Sequence, residues 1–462
     1  MVHFDLIKRV SSDVTTLLTL LGRERVVKRT HEIADVPHTP GARVRIAGFI
    51  ENVKEVGRFV FVWVRDRSGI AQLTLKKGET GEELLRIARS LNKHDVVSVF
   101  GTVPELREAK VGMELIPLEV EVLSKAERLP IDVSGSVSTQ LDTRLDWRAI
   151  DLRNPKNLAI FKVQSTLVRG MTEWLDSHGF LQVFTPCIIG APSESGAEMF
   201  EIDYFGKRAF LRQDPQLHRQ LLMVAGFERI YDIGPSWRAE PSHTPRHLCE
   251  HRGCAVELSY ISDELDVMRV EEQLFIAALK RVVEERTKEL ELLGVEVDVP
   301  KAPFPELRFP EIYEILSSMG KEVKFGEDID REGERLLNQY VMERYNSDVF
   351  FINRFPFAVK PFYVMRVDED PVWARSVDLV YRGLELSSGG QREHRYEKIM
   401  EQVRLKGMNP ESVKWFTEFF KYGAPPHGGF NIGIERFTMA LLGASNIREV
   451  TLFPRAPERY SP

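Results

Sequence analysis

The chain lacks the GxxxxGK[ST] loop, the most direct sequence mark of a bound nucleoside triphosphate. Its 462 residues hold three cysteines, Cys187, Cys249 and Cys254, too few for a disulfide framework. No apolar run approaches the roughly 20 residues that span a bilayer. The start, MVHFDLIKRVSSD, has neither a signal-type apolar core nor an Arg/Ser-rich transit composition, so a reducing cytoplasm is the expected setting. A global positive field is missing too: the formal net charge is −6 and the pI is near 6.1. Any nucleic acid must therefore be met by local patches. There is no internal repeat and no low-complexity tract. Hydrophobic residues, at 43%, are ample for two to three domains with their own cores.

From about 43 to 125 the chain reads as short strands: VRIAGFI, FVFVWVRD, a Ser68-Gly69 turn, IAQLTL, then VVSVFGTV and MELIPLEVEVL. Thr80 to Leu91, between strands three and four, reads as a helix. Five strands interrupted by one helix predict an oligonucleotide-binding β-barrel, the OB-fold. Residues 126–155, rich in charge, are expected to serve as a hinge. From 156 the pattern changes: Leu158, Ile160, Phe161, Leu167, Met171, Trp174 and Leu175 recur at helical spacing, with Gly179 as a stop. LQVFTP reads as a strand, and FLRQDPQLHRQLLMVAGF as a strand entering a helix, with Asp214 as N-cap and Pro215 in the first turn. Extended runs and helices then alternate without a βαβ rhythm. The expectation is an α+β chain: an N-terminal barrel (1–125), a hinge, and a large antiparallel sheet flanked by helices (156–462).

Arginines dominate the candidate chemistry. WRAEPSHTPRHLCEHRGCAVE (237–257) contains Arg238, Glu240, Arg246 and His247, and GGFNIGIERF ends on Arg436. A guanidinium stays charged and grips two oxygens at once, so separated arginines can hold a triphosphate without a glycine loop. His243, His247, Cys249, His251 and Cys254 crowd together, but their spacing fits no paired Cys-x-x-Cys arrangement, which argues against zinc. Gln216 and Arg219 stand at i and i+3 near a helix start, where an anion gains from the helix dipole.

These motifs, with YRGLELSSGGQREHR, FKYGAPPHGG and LFPRAPERYSP following in order, resemble the aspartyl-tRNA synthetases of archaeal and eukaryotic type. That family lies within the second class of aminoacyl-tRNA synthetases, beside the asparaginyl and lysyl enzymes. The resemblance implies an α+β class II catalytic domain and an AMP-forming ligase that joins aspartate to tRNA through an adenylate. ATP and Mg²⁺ are the implied cofactors. It places Arg238 on the α-phosphate, Arg246 and His247 on the outer phosphates and Arg436 on the γ-phosphate. Glu240 and His251 fall at the adenine, and Glu385 and Ser388 on Mg²⁺. For the amino acid it implies Glu194 on the ammonium, with Gln216, Arg219, Arg392 and His427 around the pocket. Arg219 and Arg392 together would favour an acidic side chain. In the barrel it points to Lys54, on the loop between the first strands, and to Phe61 and Gln72 as readers of the anticodon. It also implies a homodimer joined near Pro186.

The chain departs from that pattern at several positions. Arg219 stands where lysine is usual, Asp214 where serine is, and Ala255 and Ala456 where aspartates are; the lid reads Glu194-Ser195-Gly196 instead of Glu-Gly-Gly. Two further readings therefore stay open: a paralogue serving another amino acid or a non-tRNA acceptor, and an asparaginyl enzyme.

Overall fold

The computed structural model describes residues 29–105, 109, 112–190, 199–239 and 244–462. Two compact units divide it, Met1–Pro130 and Ile131–Pro462. Of the expected hinge, residues from 131 onward belong to the second unit. Two short helices, Leu141–Asp146 and Arg148–Asp151, are held there by Arg148, a buried side chain that donates to the carbonyls of Glu449, Thr451 and Leu452. Among the described residues no helix is long and apolar enough to cross a membrane.

The first unit is a closed barrel of β1 (Arg43–Val56), β2 (Phe59–Arg65), β3 (Ile70–Lys76), β4 (Val96–Thr102) and β5 (Met113–Ser124), joined in the order β1-β2-β3-β5-β4. Strict alternation builds it: Val60, Val62 and Val64 point into the core, while Phe59, Phe61 and Trp63 take the outer face. The expected helix is present as Glu82–Arg89.

Among the described residues the second unit carries an eight-stranded sheet. Its strands are β6 (Leu181–Gln182), β10 (Arg229–Trp237), β11 (Glu250–Ser259), β12 (Glu306–Arg308), β13 (Val349–Asn353), β14 (Ser376–Tyr381), β15 (Leu384–Arg392) and β16 (His427–Gly433). They run in the order β12-β13-β14-β15-β16-β11-β10-β6, antiparallel except at the two edges. A smaller sheet joins β7 (Ile188–Ile189), β8 (Glu201–Tyr204) and β9 (Lys207–Leu211).

One face of the large sheet is apolar. Cys254, Val256, Leu258, Phe430, Ile432, Val377 and Leu379 pack there against helices Pro155–Ser177 and Glu264–Glu285. The first of these helices is capped by the Asn154 side chain, which accepts from the Lys156 amide at 2.8 Å. It buries a stripe of Ala159, Val163, Leu167, Met171 and Leu175.

Candidate active site

The opposite face of that sheet is the floor of the site, and strand register dictates its composition. Paired residues of antiparallel strands share a face, so Gly253, Ala255 and Glu257 of β11 lie beside Gly433, Asn431 and Gly429 of β16. Asn431 and Gly429 in turn lie beside Ser388 and Gly390 of β15, with Arg392 beside His427, and beyond them come Asp378 and Ser376 of β14. Glycine and alanine predominate on this face, which leaves a trough over the sheet. At Gly253 a Cβ would stand 2.1 Å from the Asn431 Oδ1, so a side chain there would push the Asn431 amide aside.

Glu385 and Ser388 are three apart and would point to opposite faces of a regular strand. The ladder slips between Leu379 and Val380, where Leu379 pairs with Ser387 but Val380 with Glu385. The extra residue, Leu386, is a bulge that turns Glu385 back to the floor.

A cavity of about 880 Å³ occupies the trough. It brings together Gln216, Arg238, Arg246, His247, His251, Glu385, Ser388, Arg392 and Arg436 from segments far apart in sequence. At one end the guanidiniums are matched by carboxylates: Arg246 Nη1 stands 3.1 Å from Glu334 Oε2, and Arg436 Nη1 3.4 Å from Glu385 Oε1. Burial and the neighbouring Glu385 push the Glu334 carboxyl above its ordinary range. Asp378, buried at the edge of the cavity, is pushed up to about 7, chiefly by desolvation, although Lys360 Nζ lies 3.1 Å away.

At the other end, Arg392 donates from Nε to Glu257 Oε1 at 3.1 Å and from Nη2 to the Gly429 carbonyl at 2.9 Å. Gln216 Nε2 donates to Glu257 Oε2 at 2.9 Å.

Several expectations are revised here. Asp214 does not cap the helix Gln216–Val224; Pro215 holds the cap position with no side-chain hydrogen bond. The Asp214 carboxylate turns instead to Arg219, whose buried charge needs a counter-ion. Arg219 is fully buried and does not line the cavity. His427, on the floor face beside Arg392, is likewise buried, covered by the helix Gln216–Val224 with Nε2 3.3 Å from Gln220 Oε1, and burial drops it to about 4, so it is neutral at physiological pH. Glu194 and Glu240 lie outside the described residues. The sequence reading missed Glu257 and Asp378, although a carboxylate inside an otherwise apolar buried strand (SVDLVY, every position buried) is a usable signal. Gln213 and Glu334 offered no comparable signal.

Among the described residues no group of three or more His, Cys, Asp or Glu side chains converges on a metal position. Cys249 and Cys254 are buried free thiols, and burial pushes the Cys254 thiol up to about 12. The donor set of Asp378, Glu385 and Ser388 fits magnesium, which takes one or two carboxylates and completes its shell with water and phosphate.

On the barrel, Lys54 lies within β1, not on a loop, and pairs in register with Phe61; Trp63 pairs with Gln72. Lys54, Phe61 and Gln72 thus share the outer face. Phe59, Phe61 and Trp63 form a ladder on it, with ring centroids 5.8 and 6.1 Å apart.

A glycine-floored antiparallel sheet lined by arginines, in one chain with a closed five-stranded barrel, is the make-up of a class II synthetase with a nucleic-acid-binding module. Comparison with known proteins agrees. The family described as "tRNA synthetases class II (D, K and N)" matches residues 140–457, and "OB-fold nucleic acid binding domain" matches residues 44–123. The chain is 46% identical to the aspartate–tRNA(Asp) ligase of Pyrococcus furiosus over 94% of its length and 100% of that protein's. It is 44% identical to the aspartate–tRNA(Asp/Asn) ligase of Aeropyrum pernix, over 93% and 98% of the two chains. The crystal structure of asparaginyl-tRNA synthetase from Pyrococcus horikoshii with asparaginyl-adenylate superposes with a TM-score of 0.85 at 33% identity, covering 92% of this chain and 98% of that one. The protein belongs to the class II tRNA synthetases, in the group that carries the D, K and N enzymes.

Proposed function

We propose that the protein activates aspartate with ATP and transfers the aspartyl group to tRNA. The observation that carries this reading is the convergence of Arg238, Arg246, Arg392 and Arg436, from four separated segments, on one cavity. The names of the relatives, aspartate ligases for tRNA(Asp) or tRNA(Asp/Asn), supply the substrate.

The first step joins two anions: a carboxylate oxygen attacks the α-phosphorus, and pyrophosphate leaves with the electrons of the broken P–O bond. Repulsion between them must be cancelled by fixed positive charge. Arg238 serves the α-phosphate, Arg246, His247 and Arg436 the leaving pyrophosphate, and His251 the adenine. When the nucleotide enters, its phosphates replace Glu334 and Glu385 as partners of Arg246 and Arg436. Magnesium, when bound through Asp378, Glu385 and Ser388, supplies further charge at phosphate oxygens. Arg392, held by Glu257, faces the substrate side-chain carboxylate. Rigid pairing favours aspartate over its amide, which would leave the guanidinium uncompensated.

Stacking on Phe61, with Lys54 and Gln72 beside it, suits an unstacked anticodon base on the barrel. Pairing of two copies through the segment near Pro186, where Leu181, Phe184 and Ile188 are exposed, accounts for that apolar surface. A cytoplasmic setting accords with the three free cysteines.

The test is amino-acid-dependent ATP–pyrophosphate exchange, followed by charging of separate aspartate and asparagine tRNAs. Exchange with aspartate, abolished by chelation of magnesium, is the expected result. Exchange with a different amino acid alone refutes the substrate assignment.

A further inference from the structure

The helix Arg331–Tyr345 covers the far edge of the sheet on the cavity side. Its Leu337 and Val341 pack against Phe350 and Ile352 of β13 and Val380 of β14, and Val380 shares a strand face with Asp378. Asp330 caps the helix, accepting from the Gly333 amide at 2.9 Å, and Asp328, just before it, lines the cavity. The fold turns Glu334 to the same side as Leu337 and Val341, three and seven residues further on. A charge set among apolar neighbours needs a partner.

That partner is Arg246. The Glu334 side chain is 13% exposed, and its Oε2 accepts from Arg246 Nη1 at 3.1 Å across 88 residues of sequence. Arg246 lines the cavity and Glu334 does not, so the carboxylate draws the guanidinium toward the wall. Phosphate and carboxylate oxygens meet the planar fork of an arginine in the same way, and they compete for it. Arg436 has a carboxylate partner too, but Glu385 belongs also to the donor set for magnesium. Among the described residues Glu334 joins no cluster that could hold a metal.

A phosphate that takes Arg246 leaves Glu334 without its counter-charge, facing Glu385 and the nucleotide. We infer that Glu334 is an internal competitor for the outer phosphates: it holds Arg246 against the wall before ATP enters, weakens ATP and pyrophosphate binding alike, and hastens the departure of pyrophosphate once the adenylate has formed. The first turn of the helix yields when ATP displaces the carboxylate. Arg331, Glu332 and Arg335 beside it are exposed, so a small rotation carries Glu334 to water. This role rests on the reading that the cavity binds ATP.

The test is calorimetric binding of magnesium–ATP, magnesium–pyrophosphate and AMP to the whole chain and to its Glu334→Gln variant. Removal of one charged competitor predicts that ATP and pyrophosphate bind tighter by about tenfold to a hundredfold. AMP, which has no outer phosphate, is expected to bind as before. In an Arg246→Gln background, where the pair is already broken, the same change should have a much smaller effect. Weaker or unaltered ATP binding by Glu334→Gln overturns the inference, because a carboxylate that positioned Arg246 for phosphate, or that held magnesium, would shift affinity the other way. An AMP shift equal to that of ATP, or full additivity with Arg246→Gln, overturns it as well. Hydrogen exchange in the unaltered protein gives a reading that depends on no variant: amides of residues 334–338 are expected to exchange faster with ATP than with AMP, and equal or slower exchange overturns the role. If the unaltered protein binds neither ATP nor pyrophosphate, the ATP reading itself falls, and the competitor with it.

Discussion

Replacing Glu271 with glutamine is expected to make the protein more stable at alkaline pH. Glu271 sits on helix Glu264–Glu285, fully buried beneath β15; the Ser387 hydroxyl donates to its Oε1, and its Oε2 has no partner among the described residues. Burial, assisted by the nearby Asp378, raises its pKa from 4.5 to about 8. The folded protein therefore keeps a proton that the unfolded chain has released. Between those two values the folded state binds more protons than the unfolded one, so stability falls as pH rises and levels off above about 8. At about 1.4 kcal/mol per pH unit, the loss reaches at most about 5 kcal/mol. Glutamine has the same shape and no charge to bury. Asp378, also raised by burial, adds its own slope to both proteins, so the quantity to measure is the difference between variant and parent in urea-unfolding free energy from pH 5 to 9. That difference is expected to grow in favour of the variant up to about pH 8 and then hold constant. A flat difference would show that Glu271 is ionised in the folded protein and would refute the reasoning.

Three more outcomes are expected. Arg392→Gln removes the guanidinium facing the substrate side chain and leaves Glu257 buried without its counter-charge; aspartate-dependent exchange should fall at least a hundredfold, for a loss of about 3–5 kcal/mol, with ATP binding by calorimetry nearly preserved. Gly253→Ala drives a methyl group to 2.1 Å from Asn431 Oδ1 and is expected to lower activity sharply, while the double variant Gly253→Ala, Asn431→Gly recovers it; failure of the second change to rescue would place the fault elsewhere. Phe61→Ala on the barrel is expected to weaken tRNA charging by about 1–3 kcal/mol in kcat/KM while pyrophosphate exchange, which needs no tRNA, is unaltered.

Much of this protein was legible in the linear chain, because the information was local. Alternation in FVFVWVRD specified which side of β2 is core, and the spacing of Leu167, Met171 and Leu175 specified the buried stripe of the long helix. Arg238, Arg246 and Arg436 pointed to an anion site through residue type and the order of their motifs, and the structure brings all three to one cavity. What the chain could not disclose depended on register and burial. The bulge at Leu386 that turns Glu385 toward Ser388 is a property of two strands pairing, not of either one. Arg219 read as a substrate ligand because its charge is visible in the sequence, whereas its burial behind Asp214 and Gln216 is not. Glu257 acquires its role from Gln216 and Arg392, 41 and 135 residues away in sequence, and Asp378 from Lys360, 18 residues away. Periodicity and side-chain chemistry thus determined the elements and marked an anion site, and the ordered motifs, through the resemblance they carry, implied the class of reaction; only the packed sheet decided which charges face the cavity and which are spent inside the wall, because desolvation and pairing are set by three-dimensional proximity.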